Sequence, residues 1–271
     1  PHHPYMAPEP YNEMLASPYD AEIAFMDAQI ARLKAAVDAH STDEGAAWVL
    51  VADHGEALEK EHGETTHGLF LFDPTMRVPF IVRPATPLEQ PFVENDITAS
   101  IVDVMPTVLG MLNMDVPDGM DGVDLSGILT GNTGDREAVY MESLVVQQRF
   151  GYHPEIAVAE GALKLIDTPN AQMFNVDTDP MEATNILEQH PEDADRMRSV
   201  AQRVWAQTSI SDGTAPSPEI LAQLAELGYV SNDFSNGDMD SSIDAKDRIE
   251  TISTIEKIRL ELQTTQNFEE A

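Results

Sequence analysis

The chain contains no cysteine. Within these residues that excludes disulfides, zinc–thiolate centres and a cysteine nucleophile. Bases are scarce: 15 Lys and Arg stand against 48 Asp and Glu, leaving a formal net charge of −33. A chain of that sign repels phosphate backbones, so nucleic acid is not an expected partner. No apolar run reaches the roughly 20 residues of a membrane-spanning helix, and no signal-peptide pattern is present. The sequence opens on Pro1 rather than Met, from which a piece of a longer protein is expected, with its export signal unread.

What is present argues for a folded protein. Hydrophobic residues make up 42% of the chain, too many for a wholly disordered acidic chain. A charge of this size suits salty surroundings, where screening shortens to roughly 4–5 Å and self-repulsion is tolerable.

Residues 17–40 predict a helix. Ser17 is placed to cap it, Pro18 fits the first turn, and Asp20 completes a capping-box pattern. Ile23, Met26, Ile30, Leu33 and Val37 recur at helical spacing, so a buried stripe is expected. Residues 46–52 and 78–84 predict strands, the first a continuous apolar run of the kind buried on both sheet faces. A helix is expected over 96–114, capped by Asp96 and kinked or restarted at Pro106. Beyond about residue 135, four short strand-like runs (AVYMES, EIAVAE, LKLIDT and QMFNVD) predict a small antiparallel sheet. A helix is expected over 191–208, a linker over 209–218, a short helix from Pro218, a mobile acidic stretch over 231–247 and a last helix from Arg248. The divisions expected are 1–135, 136–208 and 209–271. Residues 231–247 fail the Asp-x-Asx-x-Asx-Gly order of an EF-hand.

The chemistry concentrates in WVLVADHGEALEKEHGETTHG, residues 48–68. Ligands of open α/β sheets collect at the carboxyl ends of strands, where Asp53 and His54 fall. A carboxylate and an imidazole side by side can reach one metal, and Gly55 lets the backbone turn. On Asp-His-Gly alone, the plainer reading is a turn-capping Asp53 and a surface His54. His62 and His67 lie five apart beside Gly63 and Gly68. The glycines suggest a backbone folded closely around a small ligand. An imidazole there could pass a proton to a leaving group, although His62 reads more readily as a packing residue between its carboxylate neighbours. His2 sits in a Pro-rich extended segment that fixes the backbone around it.

In order, the His2 to Tyr5 segment, the helix, VADHGE, EHGETTHGLFLFDPTMRVPFIVR, DVMPT at 103–107 and KLIDTPNAQMFNVDTDPMEATNI resemble the sulfatase branch of the alkaline phosphatase superfamily. The resemblance runs through most of residues 1–190. It implies part of an alkaline-phosphatase-like α/β/α sandwich with a C-terminal antiparallel subdomain. It also implies that Asp53 and His54 hold a divalent metal, calcium first and manganese as the alternative. His2 would contact the sulfate or its leaving oxygen, and His67 would assist the leaving group. The tail resembles sulfatases that continue into tetratricopeptide-type repeats, with a protein partner through that helical tail.

One feature departs from the family. Its formylglycine nucleophile is made from Cys or Ser in Cys/Ser-x-Pro-x-Arg, and no such motif occurs here. The expectation is therefore the C-terminal part of a sulfatase, inactive alone, with the formylglycine upstream and a small-molecule or carbohydrate sulfate ester as substrate. By resemblance, the place of action would be periplasmic or secreted. The alternatives are a phosphodiesterase or phosphonate hydrolase of the same superfamily, and a non-catalytic acidic binding module.

Overall fold

The computed structural model describes residues 5–41, 45–58, 62–65, 67–86, 88, 98–131, 136–207, 242–255 and 257–258. Two compact units emerge, residues 1–50 with 81–92, and residues 51–80 with 93–271. The predicted linker at 209–218, the short helix after it and most of the acidic stretch lie outside the described residues. No described helix is long and apolar enough to cross a membrane.

In the first unit, α1 (Tyr11–Met14) precedes α2 (Pro18–His40). Ser17 caps α2 as predicted, its Oγ accepting from Asp20 N at 3.2 Å. The expected buried stripe is a correction: Ile23, Met26 and Leu33 are exposed, and Ala21 is the buried residue of the helix. The reason is that α2 packs through its aromatics, Tyr19 edge-on to Tyr5 and Phe25 edge-on to Tyr11. Strands β1 (Trp48–Val51) and β2 (Phe80–Arg83) pair with each other. β1 is half-buried rather than enclosed on both faces, with Val51 exposed.

The second unit is built on a four-stranded antiparallel meander: β3 (Val139–Ser143), β4 (Glu155–Glu160), β5 (Leu163–Ile166) and β6 (Gln172–Asn175). All four predicted runs are strands. The register sets Ala157 against Ile166 and Leu165 against Met173. Alternation sends Val158, Leu165 and Met173 to one face and Ala157, Ile166 and Phe174 to the other, as the period of two requires. The first face is covered by α6 (Pro191–Gln207), whose Ala194, Met197, Val200 and Ala201 recur at helical spacing. The second face is covered by the irregular run Leu69–Phe72 together with Ala245 and Ile252. Both faces of the sheet are therefore core, and the run directly after His67 and Gly68 is part of it.

Three local features differ from the sequence reading. α3 (Asp73–Met76) and α5 (Val145–Phe150) are short helices without a predicting pattern. The helix expected over 96–114 begins at Ser100, which caps a 3-10 turn, Ile101–Asp103, leading into α4 (Val104–Met111). The expected cap, Asp96, lies outside the described residues. Asp103 holds this start: its carboxylate accepts from Ser100 N at 2.7 Å and Val123 N at 2.9 Å and pairs with Arg136. Pro106 sits in the first turn of α4, where it forfeits no helical bond. Finally, Asp244 and Ala245, within the stretch read as mobile, are buried in the core. Asp244 is buried, accepting from Thr168 Oγ1 at 2.7 Å and Asn170 N at 2.9 Å. A helix, α7, runs over 249–255.

Candidate active site

Asp53 and His54 follow β1 directly, and the turn they occupy is set by Gly55. Its N–H donates to Thr75 O at 2.8 Å, and a Cβ at Gly55 would lie 2.2 Å from Pro74 O. No side chain fits that approach, which explains the glycine after the Asp-His pair. Asp53 is largely exposed, with Oδ1 accepting from His54 N at 3.0 Å. His54 Nδ1 lies 2.8 Å from Gly55 O. A carbonyl only accepts, so in the neutral ring Nδ1 carries the proton and Nε2 keeps its lone pair.

His67 comes to the same place. Its ring stacks on that of His54, centroids 3.8 Å apart and planes at 25°. Its Nδ1 is 3.3 and 3.4 Å from the two oxygens of Glu56. Asp53, His54, Glu56 and His67 thus form one cluster. His2 lies outside the described residues.

His62 belongs elsewhere. It lies flat on Phe72, centroids 3.6 Å apart, with Nε2 2.9 Å from Met181 O. It is the packing residue of the two readings. The two glycines beside these histidines have different surroundings. Both have positive φ, +78° at Gly63 and +91° at Gly68; a Cβ at Gly63 would strike Ile249 Cγ1 at 2.3 Å, whereas at Gly68 no described atom lies within 4 Å. Both glycines turn the chain, and Gly63 also admits the Ile249 side chain.

Sequence reasoning missed the carboxylates behind the histidines. Glu56 orients His67, but nothing in its spacing announces that contact. Glu64 is buried and accepts from Leu69 N at 2.8 Å and Phe70 N at 3.4 Å. Burial pushes its carboxyl up to about 8, against the lowering effect of those two N–H groups, with Glu155 and Glu56 adding to the rise. Glu155 is fully buried, and neither carboxylate oxygen has a hydrogen-bond partner among the described residues. Burial pushes it to about 7, with the Lys246 charge opposing and Asp244 assisting.

Among the described residues, no three His, Asp or Glu side chains are arranged to hold a metal ion. Asp53 and His54 do fit as two ligands of a larger shell. His54 Nε2 is 3.9 Å from Asp53 Oδ2, less than twice a cation–ligand distance of about 2.3 Å. A carboxylate oxygen and a free imidazole nitrogen can therefore meet one divalent ion.

The family described as N-sulphoglucosamine sulphohydrolase, C-terminal, matches residues 61–209, and the family described as Sulfatase matches residues 1–114. The chain belongs to the sulfatase family. Its α/β architecture is alkaline-phosphatase-like. An ulvan-active sulfatase of Formosa agariphila is 30% identical over 125 residues, covering 45% of this chain and 24% of the relative. A protein solved in complex with its substrate D-glucosamine-2-N,6-O-disulfate superposes at a TM-score of 0.53 with 21% identity, over 71% of this chain and 40% of that one. The phosphonate monoester hydrolase of Agrobacterium radiobacter superposes at 0.54 with 21% identity, over 70% of this chain and 41% of that one. The chain spans less than half the length of each.

Proposed function

We propose that this chain carries the leaving-group side and part of the metal site of a sulfuric ester hydrolase. The observation that supports it is the His67 ring stacked on His54 beside Asp53, with Glu56 at its Nδ1. Asp53 and His54 would hold a divalent cation, calcium with manganese as the alternative. Such an ion supplies charge to offset the sulfuryl oxygens as the ester bond breaks.

The chain's own residues supply the rest. Glu56 accepts from Nδ1–H of His67 and fixes the ring and its tautomer. Nε2 of a protonated His67 passes its proton to the departing ester oxygen. By the family resemblance, His2 would be a second histidine contacting the sulfate or its leaving oxygen. The nucleophile is a formylglycine carried outside these 271 residues, because no Cys/Ser-x-Pro-x-Arg occurs within them. The relatives' sulfated substrates favour a sulfated carbohydrate. The charge of −33 makes screening by salt favourable to an anionic substrate.

The test is hydrolysis of a 4-nitrophenyl sulfate and a phenyl phosphonate by the encoded polypeptide in full, beside the 271 residues alone. Sulfate turnover by the former, absent from the latter, is expected. Preference for the phosphonate, or no turnover of either, would overturn the proposal.

A further inference from the structure

The segment that carries His67 is fastened from the far end of the chain. Ser253 Oγ donates to Gly63 O at 2.8 Å across 190 residues. Ile249 fills the space that a side chain at position 63 would need. Both residues belong to α7, and Ile252 between them is fully buried against the core that contains Leu69–Phe72.

The approach to α7 is pinned as well. His153 N donates to Ile243 O at 3.0 Å. Asp244 is held by Thr168 and Asn170, and its carboxylate also accepts from Lys246 N at 2.9 Å. On the other arm of the loop, Ser143 Oγ donates to Gly68 O at 2.5 Å, and Glu64 ties Leu69 and Phe70 back toward Gly63. Every fixed point on either side of His67 is thus supplied by a buried group or a distant element. Among the described residues, the His67 ring is held by Glu56 and His54, both on the preceding turn. Where the loop backbone stands therefore decides whether ring and partners meet.

We infer that α7 is a positioning element for the proposed proton donor: Ile249 and Ser253 set the Gly63 arm and thereby keep His67 stacked on His54 and within reach of Glu56. Its catalytic consequence rests on the reading of His67 given above; the coupling between α7 and the loop does not. A tail helix so placed joins the integrity of the C-terminal segment to that of the site 190 residues earlier.

The test uses the 271-residue chain and two readouts that need no turnover. Hydrogen exchange is followed at residues 62–70 and in β3–β6, and ring-proton resonances of His54 and His67 are recorded by NMR. Stacked imidazoles displace each other's resonances, so loss of the stack has its own signature. Ile249→Ala and Ser253→Ala are compared with Ser253→Thr, which keeps the hydroxyl, and with Ile255→Ala, whose side chain is exposed.

The expected result is at least ten-fold faster exchange at 62–70 and relaxed ring resonances in the two disruptive variants. β3–β6 should be unchanged, and Ser253→Thr and Ile255→Ala should match the parent. Unaltered loop and rings in folded Ile249→Ala and Ser253→Ala would overturn the inference. So would equal acceleration throughout the sheet, which would make α7 a general stabiliser. In the polypeptide that turns over, Ser253→Ala should lower kcat for poor leaving groups, with no further loss in a His67→Ala background. Unchanged turnover in His67→Ala would instead defeat the functional reading and leave the exchange result to judge the coupling.

Discussion

Glu56 and His67 meet across eleven residues of sequence, Nδ1 of the imidazole lying 3.3 Å from a carboxylate oxygen that is almost fully enclosed. The contact does for the histidine what a carboxylate does in many acid–base pairs: it selects one tautomer and one ring orientation. Its loss should be felt where proton donation matters most. Glu56→Ala is expected to lower kcat by 10- to 100-fold for esters with poor leaving groups, and less for 4-nitrophenyl sulfate, whose oxygen departs without help. Glu56→Gln, which still accepts a hydrogen bond, should fall between. A leaving-group series on the encoded polypeptide in full reads this out.

Stability should fall as pH rises through neutrality. Glu155 is buried without a hydrogen-bond partner among the described residues, and its value of about 7 stands above the ordinary 4.5. The folded state therefore binds that proton more tightly than the unfolded chain. The stability it brings is complete below about pH 4.5, declines toward pH 7 and is absent above it. Glu64, at about 8, extends the decline. Glu155→Gln removes one source, so the variant should lose less stability than the parent between pH 5 and 8. The difference should be on the order of 1.4 kcal/mol for each unit between folded and unfolded values. Urea unfolding of the chain at several pH values measures it.

The buried Lys164 is a second strong case. Its Nζ lies 2.7 Å from Asp73 Oδ1 and 2.9 Å from Glu182 Oε1, and Glu182 Oε2 accepts from Asp73 N. Lys164→Met strands Glu182, whose carboxyl burial already raises against the Lys164 charge. A loss of about 3–5 kcal/mol is expected. Adding Glu182→Leu should recover much of it, because the deficit lies in the uncompensated charge rather than in the missing pair. Equilibrium unfolding of the single and double variants decides this.

The antiparallel sheet was legible because its strands alternate and end at turn residues, among them the Asp179-Pro180 step, and α6 because its small and apolar residues recur every three or four positions. The start of α2 was legible from Ser17 and Pro18. The burial of α2 was not, since a helical stripe says which residues share a face and not what covers them. Asp244 misled for a related reason: an acidic run reads as solvated, but its partners Thr168 and Asn170 lie 76 and 74 residues away. In the site, Asp53, His54 and His67 could be singled out as chemically capable residue types beside glycines. Glu56 and Glu64 could not, because their importance lies in a loop fold that brings Glu56 to His67 and Glu64 to the backbone after it.

Gly55 offers a strict local test. The 2.2 Å separation between a notional Cβ and Pro74 O involves backbone, which cannot swing aside as a side chain would. Gly55→Ala should displace the Asp53–His54 turn from the Thr75 carbonyl. The expected signs are loss of the Gly55 N–H protection in hydrogen exchange and weakened divalent-cation binding, with the β3–β6 amides unchanged.

Titration of calcium and manganese into the polypeptide in full, with 4-nitrophenyl sulfate turnover followed at each concentration, tests the central claim most directly. Turnover should appear with added cation and vanish with chelator. Asp53→Ala and His54→Ala should each lower cation affinity by at least ten-fold and turnover in parallel. Cation-independent turnover, or turnover that survives in Asp53→Ala at unchanged metal affinity, would contradict the account.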